Sequence, residues 1–434
     1  MNIEKIRLSN YRNFKEYSIG FGKETTIFIG KNGMGKTNLI SAIAHSLSFI
    51  FSKKKDEIQY EFIASSDENI KSFAATDNRY SYDGNKGDYD YPLSIKTFVT
   101  IHAESIEWEF NKASDTSGLD PSKYRLANEK FWKTYIVENK LKDLPVFACF
   151  HDSYPHVTAT IGDKIQDKLN SGNPLPQNTA YYRWNDERNC SDLWVQYYTM
   201  QLTNFKLENE KGNKKYLDAV DQKMIDFSKS ISNLINTEDI EIEKLEIEKR
   251  GKDYELIVVF KNGNRTPFVQ LPQGYKRIFS IVFDIANRAY LLNSNCKPSG
   301  IVIIDEIELH LHPSIAQEIL TALKETYPKL QFIISTHSPL VITNFKQDEN
   351  NYIYKMYNEE GEYKNERIEN LYGIDYNSGL RDWMDAPYRQ SDINNLKESY
   401  NYWKSVADDE MITQVKKKIE KAAGKDSELY KSLN

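Results

Sequence analysis

The segment that decides the fold reads Gly30-Lys31-Asn32-Gly33-Met34-Gly35-Lys36-Thr37. It fits the pattern G-x-x-x-x-G-K-[ST], in which glycines let the backbone curl so that its N–H groups face phosphates. A buried-type strand, Thr25 to Ile29, precedes it, and apolar residues at helical spacing follow from Asn38 to Ile50. The start of that helix adds its dipole. The segment therefore predicts a phosphate-binding loop between a strand and a helix, against the alternative of a chance glycine-rich turn.

The side chains at the end of this loop have the chemistry that a nucleotide requires. Lys36 places a positive charge near the β and γ phosphates, and Thr37 offers its hydroxyl to Mg²⁺. We therefore predict that all eight residues from Gly30 to Thr37 bind ATP and that Thr37 contributes to the metal site.

A second candidate site follows the apolar run Ile301-Val302-Ile303-Ile304, which ends in Asp305 and Glu306. A carboxylate at a strand end can hold magnesium directly or through water, so Asp305 is the predicted metal ligand. Glu306 is predicted to polarise the attacking water. The alternative is an acidic turn after a core strand.

A third strand end reads Phe332-Ile333-Ile334-Ser335-Thr336-His337-Ser338-Pro339. A histidine in this position can hydrogen-bond a γ-phosphate or the attacking water. His337 is therefore the second predicted catalytic residue, with a capping or buried histidine as the alternative.

The whole chain has the composition of a globular protein. It has 434 residues, of which 40% are hydrophobic and 28% charged, so it can bury a large core. Its three cysteines are far apart, which suits a reducing cytoplasm, and no apolar run approaches the roughly 18 residues that a membrane span needs. With a net charge of −6, nucleic-acid contact would require a local basic patch.

The periodicity of apolar residues predicts an α/β chain with a mixed sheet and flanking helices. Residues 1–150 form the N-terminal part of a head that contains the phosphate loop, and residues 240–360 complete that head. Residues 151–239 read as an inserted, mainly helical lobe, and residues 361–434 as a helical tail for partner or oligomer contacts. No sustained heptad pattern predicts a long coiled coil.

The order of these motifs resembles an ABC-type ATPase. The resemblance implies that Leu271-Pro272-Gln273-Gly274-Tyr275 is the signature motif, whose Gln273 and Gly274 touch the ATP of the opposite subunit, and that His337 is the switch histidine. The start, Leu8-Ser9-Asn10-Tyr11-Arg12-Asn13-Phe14, resembles the RecF and SMC-like branch. It implies that Arg12 lies near the nucleotide phosphates, although a strand-end surface arginine is an equal alternative. The resemblance also implies a dimer or larger homo-oligomer that sandwiches ATP.

Two departures from the family pattern bear on turnover. Pro272 stands where many relatives have serine, so one hydroxyl that would contact the partner's γ-phosphate is missing. The glutamine of the Q-loop is not placed: Gln59 comes early in the chain, and residues 72–77 are an alternative for the equivalent turn.

The C-terminal part of the sequence resembles a smaller group of ATPases within this branch. Leu371-Tyr372-Gly373-Ile374-Asp375-Tyr376-Asn377, followed by a helical tail with Arg389, resembles the Septu-type (PtuA-like) and retron-associated anti-phage defence ATPases. This resemblance implies a separate nuclease partner, often of the HNH type. The alternatives are a RecF-like DNA repair ATPase and an ATP-sensing scaffold that hardly turns over. A self-contained nuclease of the OLD type would need a Glu followed by an Asp-x-Asp cluster after His337, and we find no convincing arrangement of that kind.

Overall fold

A computed structural model describes residues 1–52, 57–66, 68, 70–82, 84, 86–138, 140–152, 160–186, 191–207, 212–384, 391–425 and 427–433. The chain divides into two compact units, Met1–Gly373 and Ile374–Asn434. Residues 151–239 fall within the first unit. The second unit begins at Ile374, whereas the sequence pattern placed the start of the tail at residue 361. Arg389 lies outside the described residues.

The strands, in chain order, are β1 Asn2–Tyr11, β2 Phe14–Gly20, β3 Thr25–Ile29, β4 Tyr80–Tyr82, β5 Gly87–Tyr89, β6 Leu93–Ile101, β7 Glu104–Lys112, β8 Ile136–Val137, β9 Lys140–Leu141, β10 Val146–Phe150, β11 Ile242–Arg250, β12 Asp253–Phe260, β13 Arg265–Pro267, β14 Gly300–Ile304, β15 Leu330–Ser335, β16 Asn351–Glu359 and β17 Glu362–Ile368.

The helices, in chain order, are α1 Lys36–Leu47, α2 Glu57–Ser66, α3 Arg125–Tyr135, α4 Asp163–Asn170, α5 Ser191–Leu207, α6 Lys214–Ile235, α7 Gln273–Asn293, α8 Pro313–Thr326, α9 Pro339–Thr343, α10 Tyr376–Ser378, α11 Ser391–Val406, α12 Asp409–Ala423 and α13 Glu428–Lys431.

The centre of the first unit is a sheet with the strand order β10-β14-β15-β3-β16-β17. Its neighbouring strands pair in parallel from β10 to β16, and β17 pairs antiparallel to β16, so the sheet is mixed. Every residue of β3, β10, β14 and β15 is buried. Strands buried on both faces are continuously apolar rather than alternating, which is the pattern that the sequence shows at these positions. The predicted α/β class is confirmed.

The register of the central strands brings the predicted site residues to one edge. Phe150 lies opposite Ile304, Ile304 opposite Ile334, and Ser335 opposite Phe28. Because these strands are parallel, their carboxyl ends meet at the same edge of the sheet, where ligands bind in open α/β sheets. The loops that follow β3, β10, β14 and β15 therefore converge.

Two antiparallel sheets complete the strand structure around this centre. In the sheet β2-β1-β6-β7, strand β6 alternates buried and partly exposed residues, as expected where one face is packed and the other solvated. The long alternating stretch from Ser94 to Phe110 is a hairpin formed by β6 and β7. The third sheet has the order β11-β12-β13.

Helices of the predicted inserted lobe pack on α7, the helix whose start contains Gln273 and Gly274. Helix α5 packs against α7, and α6 packs against both α7 and α8. Trp194 on α5 donates from its indole N–H to Oδ2 of Asp284 on α7 at 2.6 Å. Arg288, also on α7, donates to the carbonyl oxygen of Ala180 at 2.7 Å and pairs with Asp284. A buried polar network therefore ties this segment to α7.

The second unit has a small core of its own. Tyr400 on α11 packs with Val415 and Ile419 on α12 and with Leu429 and Leu433. The hydroxyl of Tyr400 donates to the carbonyl oxygen of Leu433. The predicted helical character of the tail is confirmed for the residues of this unit that the structure describes. Neither unit, in its described part, contains a helix long and apolar enough to cross a membrane.

Candidate active site

The loop after β3 has three glycines at positive φ, and two of them are also closely packed. Gly30 and Gly35 have φ values of +144° and +90°, a region that side chains disfavour. A Cβ atom on Gly30 would lie 2.3 Å from the carbonyl oxygen of Met356, and one on Gly35 would lie 2.6 Å from Nδ2 of Asn13. The loop therefore needs glycine at both positions, for space as well as for φ.

Helix α1 begins at Lys36, so the last two residues of the phosphate loop form the start of the helix. Its N-cap is Gly35, and within the described structure no side chain caps its first turn. The first N–H groups of a helix lack partners inside the helix, and its dipole favours an anion there. The start of α1 is therefore suited to receive a phosphate.

The side chain of Lys36 turns back into the loop and forms hydrogen bonds with its backbone. Its side chain is buried, and Nζ donates to the carbonyl oxygens of Gly30 at 2.7 Å and Lys31 at 3.1 Å. Burial lowers the pKa of Lys36 to about 8, and the carboxylate of Asp305 opposes that shift. Bound phosphate would favour the charged form in the same way. The ammonium group is therefore held inside the loop, where it could pair with a negatively charged ligand.

Thr37 and Asp305 meet although they lie far apart in the sequence. The Thr37 hydroxyl donates to Oδ2 of Asp305 at 2.9 Å, and the Ser335 hydroxyl donates to Oδ1 of the same carboxylate. Hydroxyl and carboxylate oxygens are ligands that Mg²⁺ prefers. This pair of oxygens therefore fits a magnesium ion held between the phosphate loop and the end of β14.

Glu306 has an unusual backbone conformation for a non-glycine residue, with φ at +50°. Its N–H donates to the Ser335 hydroxyl at 2.9 Å. Burial raises the pKa of the Glu306 carboxyl, the carboxylates of Asp305 and Asp152 raise it further, and Lys36 opposes them. A higher pKa makes a carboxylate a better proton acceptor.

His337 faces Glu306 from the end of β15. Its Nε2 lies 3.9 Å from Oε1 of Glu306, and its backbone N–H donates to Oε1 of Glu308 at 2.6 Å. The Thr336 hydroxyl donates to the other oxygen of Glu308 at 2.6 Å, so this carboxylate fixes the turn after β15. Burial, with a contribution from Lys36, lowers the pKa of His337. The neutral imidazole, which can both donate and accept, is favoured.

These residues line one cleft of about 320 Å³ at the edge of the central sheet. The lining residues are Asn32, Gly33, Gly35, Lys36, Thr37, Asn38, Asp305, Glu306 and His337. The structure thus brings most of the predicted site residues together. The carbonyl oxygens of Gly30 and Lys31 hold Lys36, and the N–H of Met34 donates to the carbonyl oxygen of Lys31 at 3.3 Å.

Arg12 does not line this cleft but contacts a residue that does. Its Nη1 donates to Oδ1 of Asn38 at 3.1 Å, and its Nη2 pairs with Asp77 at 3.0 Å. Arg12 and Asp77 line a separate cavity of about 540 Å³. The guanidinium therefore reaches the loop through Asn38, and its predicted contact with phosphates stays a prediction.

Gln273 and Gly274 do not line the cleft of Lys36. They begin α7, and Gly274 lines another cavity of about 480 Å³ together with Pro272, Tyr275 and His310. A Cβ atom on Gly274 would lie 2.7 Å from the carbonyl oxygen of His310, so α7 starts in close contact with the loop after β14. A role for these residues at the ATP of a second subunit stays a prediction.

The candidates for the Q-loop lie elsewhere. Gln59 is buried and donates to Asn128 at 3.0 Å and to the carbonyl oxygen of Ser52, outside the cleft. The segment of residues 72–77 contributes Ser72 and Asp77 to the cavity of Arg12. The loop beside Asp305 and Glu306 is instead the one after β10, which carries Asp152.

Four residues near the cleft were not predicted from the sequence: Ser335, Glu308, Asp152 and Arg277. One signal could have found Asp152, because Val146 to Phe150 reads as a buried strand and a polar residue after such a strand lies at the same sheet edge. Arg277 is fully buried on α7 and donates to the carbonyl oxygens of Asp305 at 2.9 Å and Glu306 at 3.0 Å. No local pattern in the sequence marks that contact.

Comparisons with known proteins place this geometry in a family. The model of the family described as AAA ATPase domain matches residues 1–342. The retron Ec83 probable ATPase of Escherichia coli is 26% identical over 397 residues, which cover 79% of this chain and 69% of that protein. The Septu protein PtuA of Bacillus thuringiensis is 22% identical over 352 residues, which cover 78% and 72%. The predicted resemblance to retron and Septu ATPases is confirmed.

Among solved structures, the SMC head domain from Thermotoga maritima is similar at a TM-score of 0.45 and 14% identity, covering 85% of this chain and 100% of that one. The family match includes the phosphate loop, the Asp305–Glu306 strand end and His337. Because it spans well over half of the 434 residues, this chain belongs to the AAA ATPase domain family and is an ATPase.

Proposed function

We propose that this chain binds ATP with Mg²⁺ in the cleft at the edge of the central sheet and uses its hydrolysis to control a partner in anti-phage defence. The observation that carries the proposal is the 2.9 Å contact between the Thr37 hydroxyl and Asp305 Oδ2, beside Lys36 and Glu306. It brings a lysine, a hydroxyl group and two carboxylates into one cleft, and such groups can hold phosphate and a metal ion. A nucleotide triphosphate with its magnesium ion is the ligand that this combination suits.

Each group in the cleft has a role in this mechanism. Lys36 and the N–H groups at the start of α1 bind the β and γ phosphates, and Thr37 and Asp305 are the residues that would hold a metal ion. Mg²⁺, when bound, neutralises charge on the phosphates. Glu306 orients a water molecule and accepts its proton, for which its raised pKa suits it. His337, mainly neutral, donates a hydrogen bond to the γ-phosphate or to that water.

The predicted assembly is a homodimer or larger oligomer in which ATP is sandwiched. The N-terminus of α7 supports this proposal because Gly274 opens onto its own cavity rather than onto the cleft of Lys36. Such an exposed helix start can receive the γ-phosphate of a nucleotide bound to a second copy. Both sites then form across a two-fold axis.

The defence role rests on the relatives, which are named a retron ATPase and a Septu protein. We infer a cytoplasmic complex in which a nuclease, with the HNH type as the first candidate, docks on the tail or on the segment from Thr179 to Ile235. The tail has its own core and exposes Lys417, Lys418 and Lys421 on α12. These lysines suit an acidic partner surface or nucleic acid.

The test is to purify the protein together with the products of the neighbouring genes. Cleavage of nucleic acid by the complex is then measured with ATP, with ADP and without nucleotide, for the wild type and for Glu306→Gln. We expect a stable complex whose nuclease activity depends on the nucleotide. A protein that binds no neighbour and supports repair of gapped DNA alone would favour a RecF-like repair ATPase.

A second candidate function is supported by Pro272. It is the N-cap of α7 and has no hydroxyl to offer a phosphate. This favours slow turnover, and in the limit an ATP-sensing scaffold that responds to nucleotide binding alone. Steady-state hydrolysis by the wild-type complex distinguishes this candidate from an ATPase that cycles.

A further inference from the structure

Arg277 is a charged residue in the first turns of α7 that is fully buried. Its Nη2 donates to the carbonyl oxygens of Asp305 at 2.9 Å and Glu306 at 3.0 Å, and its Nη1 lies 3.5 Å from the carbonyl oxygen of Asp152. A guanidinium keeps its charge in the protein interior and presents several donors in a rigid fork. One side chain of α7 therefore joins the turns that follow β10 and β14.

The turn that Arg277 holds contains Glu306 in the left-handed backbone region, with φ at +50°. Such a conformation persists in a non-glycine residue only when its surroundings impose it. Here the carbonyl oxygens of Asp305 and Glu306, which flank the Glu306 N–Cα bond, accept hydrogen bonds from the guanidinium. The backbone N–H of Glu306 donates to the Ser335 hydroxyl. Arg277 thus holds the backbone from which the Glu306 side chain departs.

The same helix start faces the cavity assigned above to the nucleotide of a second subunit. Gly274 lines that cavity and packs against the carbonyl oxygen of His310. Arg277 follows three residues later, so the two positions are neighbours on the helix surface. Because a helix moves as a rigid body over one turn, a shift at Gly274 displaces the Arg277 guanidinium.

We propose that Arg277 is a positioning residue that holds Glu306 in its hydrolysis-competent orientation and makes that orientation depend on how the N-terminus of α7 is seated. This inference rests on the proposed ATP hydrolysis and adds to it a route of regulation within one subunit. When a second copy with its nucleotide occupies the cavity beside Gly274, it fixes the position of the N-terminus of α7. Arg277 then transmits that position to the turn that contains Glu306.

Arg277→Met tests the proposal, with Arg288→Met as a matched control. Arg288 is also a buried arginine on α7 that donates to carbonyl oxygens, but those belong to Ala180 and Tyr182, away from the cleft. ATP affinity, single-turnover hydrolysis with Mg²⁺ and thermal stability are measured for each variant. We expect Arg277→Met to keep ATP affinity within about threefold and to lose hydrolysis by about 100-fold, because small misplacements of reacting groups are that costly. Arg288→Met lowers thermal stability, while its hydrolysis per folded molecule stays within about threefold of the wild type.

A double-mutant cycle with Glu306→Gln separates positioning from general damage. If Arg277 acts through Glu306, Arg277→Met changes the residual rate of Glu306→Gln by no more than about twofold. The inference would be overturned if the rate losses of the two single variants multiply in the double variant. It would also be overturned if Arg277→Met hydrolyses ATP at nearly the wild-type rate. Absence of hydrolysis by the wild type would instead overturn the proposed function itself.

Arg277→Lys and Gly274→Ala keep the test decisive if Arg277→Met does not fold. Lysine retains the charge but has no fork to span two turns, so the same split between binding and hydrolysis is expected. A Cβ atom on residue 274 would lie 2.7 Å from the His310 carbonyl oxygen, so the helix start must shift relative to the loop that contains His310. As a single substitution, Gly274→Ala should therefore lower the rate of hydrolysis. Added to Arg277→Lys, it should lower that rate no further. A further loss in that background would contradict the proposal.

Discussion

The hydroxyl of Thr37 donates a hydrogen bond of 2.9 Å to Oδ2 of Asp305, across 268 residues of sequence. Thr37 lies at the start of α1 and Asp305 directly follows β14. The contact exists because β14 and β3 are separated by one strand, β15, in a sheet whose parallel strands end at the same edge. The role of each residue in the cleft of Lys36 can therefore be tested by a single substitution.

Lys36→Ala is predicted to weaken ATP binding while the fold is retained. Hydrogen bonds to charged groups contribute about 1.5–3 kcal/mol each, so the dissociation constant should rise by about 10- to 100-fold. Titration with a fluorescent ATP analogue and a circular dichroism spectrum measure the two quantities. Lys23→Ala, at an exposed lysine before β3, is the control. Wild-type affinity in a folded Lys36→Ala protein would contradict the assignment of the phosphate loop.

Glu306→Gln is predicted to stop hydrolysis after ATP has bound. Removal of a general base typically costs about 10²- to 10⁴-fold in rate, whereas the groups that bind phosphate remain. Bound ATP should therefore accumulate and stabilise the dimer, which mass photometry with ATP and Mg²⁺ measures. Glu104→Gln, at the exposed start of β7, is the control. A monomer under these conditions for both wild type and Glu306→Gln would exclude the sandwiched dimer.

Trp194→Phe is predicted to loosen the attachment of α5 to α7. The variant keeps an aromatic ring but loses the N–H that donates to Asp284 Oδ2 at 2.6 Å. Loss of a hydrogen bond to a buried carboxylate should lower the free energy of unfolding by about 1.5–3 kcal/mol. Chemical denaturation checks this, with Trp403→Phe in the tail core as a control for loss of an indole. Unchanged stability of the Trp194 variant would show that this bond does not hold the segment.

Asp221→Asn is predicted to stabilise the protein more at high pH than at low pH. Burial raises the pKa of Asp221, which accepts a hydrogen bond from Tyr198, to about 6. As pH rises toward that value, the unfolded chain releases the proton before the folded chain does, so the free energy of unfolding falls. The asparagine variant lacks this loss, and its stability relative to wild type should improve by roughly 1 kcal/mol between about pH 5 and about pH 8. A pH-independent difference in denaturation midpoint would contradict the raised pKa.

Much of the head could be predicted from local patterns. The strand before Gly30 and the helix after Thr37 follow from apolar runs and helical spacing, and the run before Asp305 follows in the same way. Because buried strands with these patterns are parallel, their carboxyl ends converge. The sequence therefore predicted that Lys36, Asp305 and His337 belong to one site, and they line the same cleft.

The grouping of the remaining residues required the tertiary structure. Arg277 reaches the carbonyl oxygens of Asp305 and Glu306 only because α7 packs beside the end of β14, and Asp152 adjoins Glu306 only because β10 pairs with β14. The strand β17, assigned to the tail from its sequence, joins the central sheet by pairing with β16. Periodicity and motif spacing report the conformation of a segment and the face that it buries. Which distant segments touch depends on how helices and strands pack, and that information is spread over the whole core.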